Sequence, residues 1–294
     1  MFEEKSILKS ETVPVRLSRG VICGGKELTL IAGPCAVEDR EQMFTVAESL
    51  RRMGVDCLRG CIYKPRTSPY SFQGVEENGF EILNSVKQNF ESTIVTEVMS
   101  RDHIEAVYNF CDVFQVGSRN MQNFELLKDI GKTDKPVILK RGLSATIEEF
   151  LLAAEYILAG GNDRVVLCER GIRSFDPETR NVLDLGAVAV LKRKTGLPVL
   201  VDPSHAAGKS ELVADLARAA VAAGADGLMI ECHPRPRESV SDARQALSLS
   251  EMQALVESLQ MVALAVNRSL KSEGAYRKNL ERLPGKVSVE ARAC

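Results

Sequence analysis

The sequence predicts an α/β protein folded as a (β/α)8 TIM barrel. Eight short, mostly apolar segments recur along its 294 residues, and helical patterns separate them. Short continuous apolar runs are typical of parallel strands that are buried on both faces, and helices between such strands imply right-handed crossovers. The length suits one barrel, and no GxGxxG turn follows the first predicted strand, which disfavours an open dinucleotide-binding sheet.

The predicted strands are each short and mostly apolar. In chain order they are Leu28–Ala32, Cys57–Arg59, Thr93–Glu97, Val113–Val116, Pro136–Lys140, Arg164–Cys168, Pro198–Val201 and Gly227–Glu231. Several of the helical patterns between them end at a glycine, the residue favoured just after a helix. The predicted helices are Arg40–Met53, Gly79–Asn89, Arg101–Phe110, Gln122–Ile130, Ile147–Ala159, Val182–Lys194 and Glu211–Ala223.

Two segments fall outside the eight units. Residues 13–26 alternate loosely between apolar and polar and carry Gly24-Gly25, which suits a β-hairpin lying across one mouth of the barrel. Residues 272–294 are polar and basic with little helical period, so we expect a flexible tail. The predicted organisation is an N-terminal extension with the hairpin over 1–27, a barrel over 28–271, and the tail over 272–294.

The composition narrows the partners and the compartment. The formal net charge is −2, so no overall field attracts nucleic acid or an anionic membrane surface. No apolar run approaches the roughly 20 residues of a transmembrane helix, and the chain does not open like a signal peptide. Eight cysteines scattered through such a chain are typical of reduced thiols. We expect a cytoplasmic protein that binds neither nucleic acid nor membrane.

Cations stand at the carboxyl ends of four of the eight predicted strands, where barrel proteins build their sites. One arginine there is ordinarily a salt bridge or a helix cap. Several cations converging on one mouth repel one another unless anionic ligands neutralise them. The pattern therefore indicates ligands with several negative charges, most simply two phosphates and a carboxylate. The cations are Arg59, Lys64, Arg66, Arg119, Lys140, Arg141 and Arg170.

The segment after the second predicted strand, Lys64-Pro65-Arg66-Thr67-Ser68, concentrates this signal. An arginine binds phosphate oxygens bidentately, a lysine adds a point charge, and hydroxyls donate further hydrogen bonds. The proline lowers the entropy that is lost when the loop becomes ordered. Alone, the segment would be a solvated basic turn, but the other strand-end cations favour a phosphate-binding loop.

A second group of residues at the same mouth could bind a metal ion. Cys35, His205 and Glu231 fall at strand ends, and Asp242 follows the eighth strand. Mixed sulfur, nitrogen and oxygen ligation suits Mn²⁺, Fe²⁺, Co²⁺ or Zn²⁺ rather than Mg²⁺ or Ca²⁺. The spacing matches no metal motif, and a buried cysteine or histidine is ordinarily packing. Spacing alone leaves both interpretations open.

Eight segments of the chain resemble the 3-deoxy-D-arabino-heptulosonate-7-phosphate (DAHP) synthases of the short microbial (type I beta) subtype, within the family that also contains the 3-deoxy-octulosonate 8-phosphate synthases. The resemblance runs from about residue 13 to about residue 270, in the family's order and spacing. The segments are Ile31-Ala-Gly-Pro-Cys-Ala-Val37, Leu58-Arg-Gly60, Lys64-Pro-Arg-Thr-Ser-Pro-Tyr-Ser-Phe-Gln-Gly74, Gln115-Val-Gly-Ser-Arg-Asn120, Leu139-Lys-Arg-Gly142, Leu167-Cys-Glu-Arg-Gly171, Val201-Asp-Pro-Ser-His205 and Ile230-Glu-Cys-His-Pro234.

The resemblance implies an enzyme, a transferase that condenses phosphoenolpyruvate with erythrose 4-phosphate and water to give DAHP and phosphate in the shikimate pathway to aromatic amino acids. It implies one divalent metal ion on Cys35, His205, Glu231 and Asp242, with Lys64 and His205 as catalytic residues. Family members usually form dimers or tetramers. The substrate residues it implies are Arg59, Lys64, Arg119, Lys140 and Arg170 for phosphoenolpyruvate, and Arg66, Thr67 and Ser68 for erythrose 4-phosphate.

Three other functions stay open. The sister condensation with arabinose 5-phosphate belongs to a family that resembles this chain but carries Ala-Asn where Pro65-Arg66 stand. Sialic-acid-type synthases lack this loop, and a non-catalytic scaffold would be expected to have lost a metal ligand or a phosphate arginine, of which none is missing.

About 25 residues precede the first predicted strand, too few for the regulatory domain of feedback-inhibited relatives. We therefore expect no inhibition by aromatic amino acids.

Overall fold

A computed structural model describes residues 11–64, 68 and 70–271. In it, an antiparallel hairpin of β1 (Val15–Ser18) and β2 (Val21–Cys23) precedes eight parallel strands, each paired with the next and the last with the first. The closed sheet confirms the predicted (β/α)8 TIM barrel. Its strands are β3 (Thr29–Gly33), β4 (Cys57–Arg59), β5 (Thr93–Glu97), β6 (Val113–Val116), β7 (Val137–Lys140), β8 (Val165–Glu169), β9 (Val199–Val201) and β10 (Gly227–Glu231).

Helices connect the barrel strands, and most of the described helices begin at a residue whose side chain caps them. Asp39 accepts a hydrogen bond from Gln42 N at the first helix, and Thr146 and Glu149 form a capping box at the fifth. In the described part of the chain the α-helices are α1 (Arg40–Arg52), α2 (Glu76–Phe90), α3 (Arg101–Val107), α4 (Phe124–Gly131), α5 (Ile147–Ala159), α6 (Leu185–Lys194), α7 (Pro203–Ala207), α8 (Ser210–Ala222) and α9 (Leu249–Ala265).

The predicted strands agree with the observed ones to within one residue at each end, whereas the helix ends differ by up to three residues. Two helices, α7 and α9, are not among those predicted. With five residues, α7 is too short to display a helical period. The capping box that starts α9, made by Ser248 and Glu251, is visible in the sequence as Ser-x-x-Glu. No helix of the described residues combines the length and the apolar character needed to cross a membrane.

Alternation along the strands sorts their side chains into two sets. One set, which includes Phe114, Leu139 and Ile230, packs outward against the helices in the main core. The other set points into the barrel and begins with an apolar layer. The barrel-strand residues of this layer are Ile31, Cys57, Val95, Val113, Ile138, Val166, Cys168, Leu200 and Met229.

The hairpin closes the amino-terminal mouth of the barrel. Leu17 packs with the apolar layer, and Ser18 Oγ lies 2.5 Å from the Oγ1 of Thr93, the first residue of β5. The turn lies at Arg19-Gly20, where the glycine has a φ of +86°. Gly24-Gly25 follows the hairpin instead of turning it, because the strands end at Cys23. The predicted site lies at the opposite, carboxyl-terminal mouth of the barrel. The predicted tail, residues 272–294, lies outside the described residues and stays a prediction.

Candidate active site and metal centre

A polar layer lies above the apolar one, at the carboxyl-terminal ends of the strands. Period-2 alternation places its members two residues beyond the apolar layer on most strands. Each of these side chains is at most 5% exposed, although most of them are charged. Burying so many charges is unfavourable unless they pair with one another or with ligands. The layer consists of Arg59, Glu97, Gln115, Lys140, Arg170, Asp202 and Glu231.

A cavity of about 460 Å³ opens above this layer. The structure places six of the predicted substrate residues in its wall, whereas Arg66 and Thr67 lie outside the described residues. Two further arginines, Arg173 and Arg180, join the wall from the loop between β8 and α6. The six predicted residues in the wall are Arg59, Lys64, Ser68, Arg119, Lys140 and Arg170. Among the described residues, seven cations therefore line the cavity: Arg59, Lys64, Arg119, Lys140, Arg170, Arg173 and Arg180.

Arg141, the remaining strand-end cation of the described chain, does not line this cavity. Its Nη1 pairs with Glu169 Oε2 at 2.9 Å and with Asp184 Oδ2 at 3.0 Å. The charge of Arg141 is thus neutralised within the protein. Neighbouring residues on a strand point to opposite faces, so only one of Lys140 and Arg141 can face the cavity. Sequence position alone does not show which one it is.

The four predicted metal ligands converge beside the cavity. They come from four places in the barrel: Cys35 follows β3, His205 lies in α7, Glu231 ends β10, and Asp242 lies in the loop before α9. One donor atom of each lies within 4.8 Å of the others. His205 Nε2 is 3.7 Å from Glu231 Oε2 and 3.9 Å from Cys35 Sγ, and Cys35 Sγ is 3.1 Å from Asp242 Oδ2.

The chemistry of these four donors fits a divalent transition-metal ion. Glu231 Oε1 is buried without a hydrogen-bond partner among the described residues, so one oxygen is free to bind an ion. Burial, opposed by Arg59 and reinforced by Asp242, raises the pKa of Glu231 to about 7. A divalent cation between the carboxylates would offset both the burial of their charges and their repulsion.

His205 is oriented as a neutral ligand. Burial lowers the pKa of His205 to about 3, so its ring carries no charge near pH 7. Its Nδ1 lies 2.9 Å from Asp202 Oδ2, which favours the proton on Nδ1 and leaves the Nε2 lone pair for an ion. Burial opposes the charge of Asp202, but His205 and Lys140, whose Nζ donates to it at 2.5 Å, keep the pKa of Asp202 well below its usual range.

Lys64 connects the cluster to the cavity. Its Nζ donates to Cys35 O at 3.1 Å and lies 2.9 Å from Cys35 Sγ. Burial alone would lower the pKa of Lys64, but Cys35, Cys61 and Glu97 raise it above its usual value. The ammonium is therefore charged at neutral pH.

Glu97, Gln115 and Asp202 belong to the site although sequence analysis assigned them no role. Glu97 accepts a hydrogen bond from Gln115 Nε2 at 3.1 Å, and a Cβ on Gly117 would approach Glu97 Oε1 to 2.2 Å. The signal that could have found them is their inward register at the carboxyl ends of β5 and β6 and just after β9.

Residues 11–267 match the family model described as the DAHP synthetase I family. The chain belongs to the DAHP synthetase I family. A relative named phospho-2-dehydro-3-deoxyheptonate aldolase, from Thermotoga maritima, is 48% identical over 243 residues, which are 83% of this chain and 72% of that protein. A relative named 2-dehydro-3-deoxyphosphooctonate aldolase, from Acidithiobacillus ferrooxidans, is 33% identical over 251 residues, 79% of this chain and 88% of that protein.

Solved structures give the same assignment. The DAHP synthase of Thermotoga maritima superposes with a TM-score of 0.88 at 44% identity, covering 91% of this chain and 79% of that one. A truncated form of the same synthase superposes with a TM-score of 0.82 at 42% identity, and the match covers 88% of this chain and 95% of that one. The family resemblance found in the motifs is confirmed, and this member of the DAHP synthetase I family is an enzyme, as the motifs predicted.

Proposed function

We propose that this enzyme condenses phosphoenolpyruvate with erythrose 4-phosphate and water to give DAHP and inorganic phosphate, the first step of the shikimate pathway. The observation that carries the proposal is a cluster of four potential metal ligands directly beside a cavity lined by seven cations of the described chain. Two phosphates and a carboxylate suit that excess of positive charge. Membership of the DAHP synthetase I family supports the same reaction.

Phosphoenolpyruvate is assigned to the cavity floor. Arg59 Nε and Nη1 and Arg170 Nη1 are buried without hydrogen-bond partners among the described residues, and buried donors of this kind are ordinarily satisfied. An anionic ligand would satisfy them with charge-assisted bonds. The floor and wall residues proposed for this substrate are Arg59, Lys64, Arg119, Lys140 and Arg170, all of which line the cavity.

Erythrose 4-phosphate is assigned to the loop that follows β4. Ser68 lines the cavity, and Lys64 at the start of this loop reaches the metal cluster. The support for Arg66 and Thr67 is the Lys-Pro-Arg-Thr-Ser motif of the sequence. The aldose phosphate would lie with its phosphate on this loop and its aldehyde toward the cluster.

A divalent ion held by Cys35, His205, Glu231 and Asp242 would supply Lewis-acid polarisation of the aldehyde. The side chains of the protein do the rest. The cavity cations hold C3 of phosphoenolpyruvate against the aldehyde carbon, which removes much of the entropy cost of bringing two substrates together. C3 forms a new bond to the aldehyde carbon, whose oxygen takes up a proton, while water adds at C2 and gives up a proton. The C2–O bond to phosphate then breaks as the C2 hydroxyl loses its proton, which releases inorganic phosphate and leaves a ketone at C2. The charged ammonium of Lys64 is the proposed proton donor. His205 takes part in catalysis as a ligand of the ion, through its neutral Nε2.

We propose that the extension (1–27), the catalytic barrel (28–271) and the tail (272–294) are separate parts of the chain, and that the enzyme assembles as a homodimer or homotetramer. The free, buried thiols of the described cysteines agree with a reducing compartment, and we propose the cytoplasm.

The test is phosphate release from phosphoenolpyruvate by EDTA-stripped protein, with and without added Mn²⁺, and with either erythrose 4-phosphate or arabinose 5-phosphate as acceptor. Release that requires both Mn²⁺ and erythrose 4-phosphate is the expected result. Preference for arabinose 5-phosphate would replace the proposed reaction with the sister reaction. Pro65-Arg66 in the loop disfavour that outcome, because the sister family carries Ala-Asn there. No release with either acceptor across Mn²⁺, Fe²⁺, Co²⁺ and Zn²⁺ would contradict the proposal.

A further inference from the structure

We propose that Arg180 and Gln245 form a hydrogen-bonded bridge that fixes the two carboxylate ligands of the metal centre, so that both act as positioning residues. The inference rests on the proposed function in one respect, since that function assigns an ion to the cluster. The bridge itself consists of side-chain contacts that join the loop between β8 and α6 to the loop before α9.

One guanidinium nitrogen of Arg180 donates hydrogen bonds to two side chains of the loop before α9. Arg180 Nη1 donates to Asp242 Oδ1 at 3.0 Å and to Gln245 Oε1 at 2.9 Å. The amide of Gln245 then donates from Nε2 to Glu231 Oε2 at 2.7 Å. The bridge thus occupies one oxygen of each carboxylate. Asp242 Oδ2 stays 3.1 Å from Cys35 Sγ, and Glu231 Oε1 stays without a partner.

Asp242 needs such support more than the other ligands do. Its backbone has a φ of +55°, in the left-handed region that aspartate tolerates but does not prefer. It lies in a loop, whereas Glu231 belongs to a barrel strand and His205 to a helix. The carboxylate of Asp242 is therefore placed largely by its side-chain partners. Gln245, at 2% exposure, supplies a fixed end for the bridge.

Arg180 is itself held in place by its surroundings. Its backbone N donates to Ala207 O at 3.0 Å, and the neighbouring Asn181 Nδ2 donates to His205 O at 3.1 Å. The arginine stem lies against Gly208, where an added Cβ would come within 2.6 Å of Arg180 Cβ. One short segment thus contacts the helix that carries His205 and, through the bridge, the carboxylates of Asp242 and Glu231.

Ligand-orienting partners of this kind typically change metal affinity 10- to 100-fold when removed. We expect Arg180→Ala and Gln245→Met each to raise the Kd for Mn²⁺ at least tenfold. The double variant should lose less than the sum of the two single losses, because Arg180 and Gln245 are hydrogen-bonded to each other and each supports the other. Arg180→Lys keeps a cation beside Asp242 but not the guanidinium nitrogen that joins Asp242 to Gln245, so its Kd should fall between those of the unaltered protein and Arg180→Ala.

The experiment is chelator competition for Mn²⁺ without substrates, together with the visible absorption spectrum of the Co²⁺-loaded proteins. A change in the Co²⁺ bands of Arg180→Ala, partly restored in Arg180→Lys, would show altered ligand geometry and not merely altered stability. The matched control is Arg173→Ala, from the same loop and the same cavity wall but without a contact to either carboxylate among the described residues. Its Mn²⁺ affinity should be unchanged.

Mn²⁺ affinity and Co²⁺ bands equal to those of the unaltered protein in both Arg180→Ala and Gln245→Met would overturn the bridge while leaving the proposed reaction intact. Failure of the unaltered protein to bind any of the four candidate ions would overturn the bridge and the metal dependence together. If Arg180→Ala does not fold, Gln245→Met and Arg180→Lys give the same decision. Melting curves in EDTA check that each variant is folded.

Discussion

Lys64 Nζ lies 2.9 Å from Cys35 Sγ, so one buried ammonium borders both the metal cluster and the cation-lined cavity. The two side chains are 6% and 1% exposed. In this low-dielectric setting the ammonium interacts strongly with any anion that enters the cavity. The contact therefore couples the centre that would bind the aldehyde to the surface that would bind phosphoenolpyruvate.

Replacing Lys64 by Met should lower kcat by about 10²-fold or more, the typical cost of removing a preorganised donor from an active site. Met preserves the length and apolar character of the stem, so the barrel should remain folded. The measurement is the phosphate-release rate at saturating substrates. Lys132→Met, at a lysine that is 70% exposed at the end of α4, is the control and should be active. A Lys64→Met enzyme with normal kcat would remove the lysine from the mechanism.

Replacing Arg66 by Ala should raise the KM for erythrose 4-phosphate far more than that for phosphoenolpyruvate. Arg66 lies outside the described residues, so this prediction rests on the sequence motif and on the two-substrate assignment. Arg119→Ala is the reciprocal variant and should mainly affect phosphoenolpyruvate, the substrate to which Arg119 is assigned in the cavity wall. Steady-state kinetics with each substrate varied in turn measure both effects. Equal losses for the two substrates in both variants would argue against separate subsites.

The sequence predicts the barrel well because its signals are local. Apolar runs at regular intervals mark β3 to β10 to within one residue, and strand order follows from the connection rules. Which cations share a cavity is less predictable. Lys140 and Arg141 are adjacent in sequence, yet one lines the cavity and the other pairs with Glu169. Register decides this difference, and a one-residue uncertainty in a strand end reverses it.

Long-range side-chain contacts are the other part that sequence reasoning does not reach. Arg180 lies 62 residues before Asp242 and joins it only in the folded protein. Asp202 lies within the motif that contains His205, but its contact with Lys140 joins the ends of β9 and β7, which are separated by β8 in the barrel. Family motifs identify ligands and substrate residues one by one. The hydrogen bonds that orient those residues become visible only in three dimensions.

Replacing Asp202 by Asn should weaken Mn²⁺ binding about 10- to 100-fold, because the carboxylate that holds the Nδ1 proton of His205 is lost. It also leaves the buried ammonium of Lys140 without its partner, which should lower the free energy of unfolding by about 3–5 kcal/mol. Chelator competition and urea unfolding in EDTA measure the two effects separately. Asp163→Asn, at an exposed site, should change neither. Unchanged affinity in Asp202→Asn would mean that His205 needs no orienting partner.

Replacing Leu17 by Ala should destabilise the protein by about 2–5 kcal/mol without changing KM or kcat at permissive temperature. Leu17 is 2% exposed and packs on the apolar layer at the amino-terminal mouth, opposite the site. Denaturant unfolding measures the stability, and the phosphate-release assay measures the site. Arg16→Ala changes the exposed neighbour on the same strand and should alter stability by no more than about 0.5 kcal/mol. Loss of activity in folded Leu17→Ala would show that the hairpin influences the distant mouth.

Replacing Cys35 by Ser should weaken the binding of Zn²⁺ and Co²⁺ more than that of Mn²⁺, because a thiolate favours the softer ions whereas a hydroxyl does not. The absorption band expected for a cobalt–thiolate bond should disappear from the Co²⁺-loaded variant. Cys232→Ser is the matched control, since Cys232 adjoins the ligand Glu231 but packs in the outer core. That variant should keep the band and its order of metal affinities. A cobalt–thiolate band that survives in Cys35→Ser would place the coordinating sulfur elsewhere in the chain.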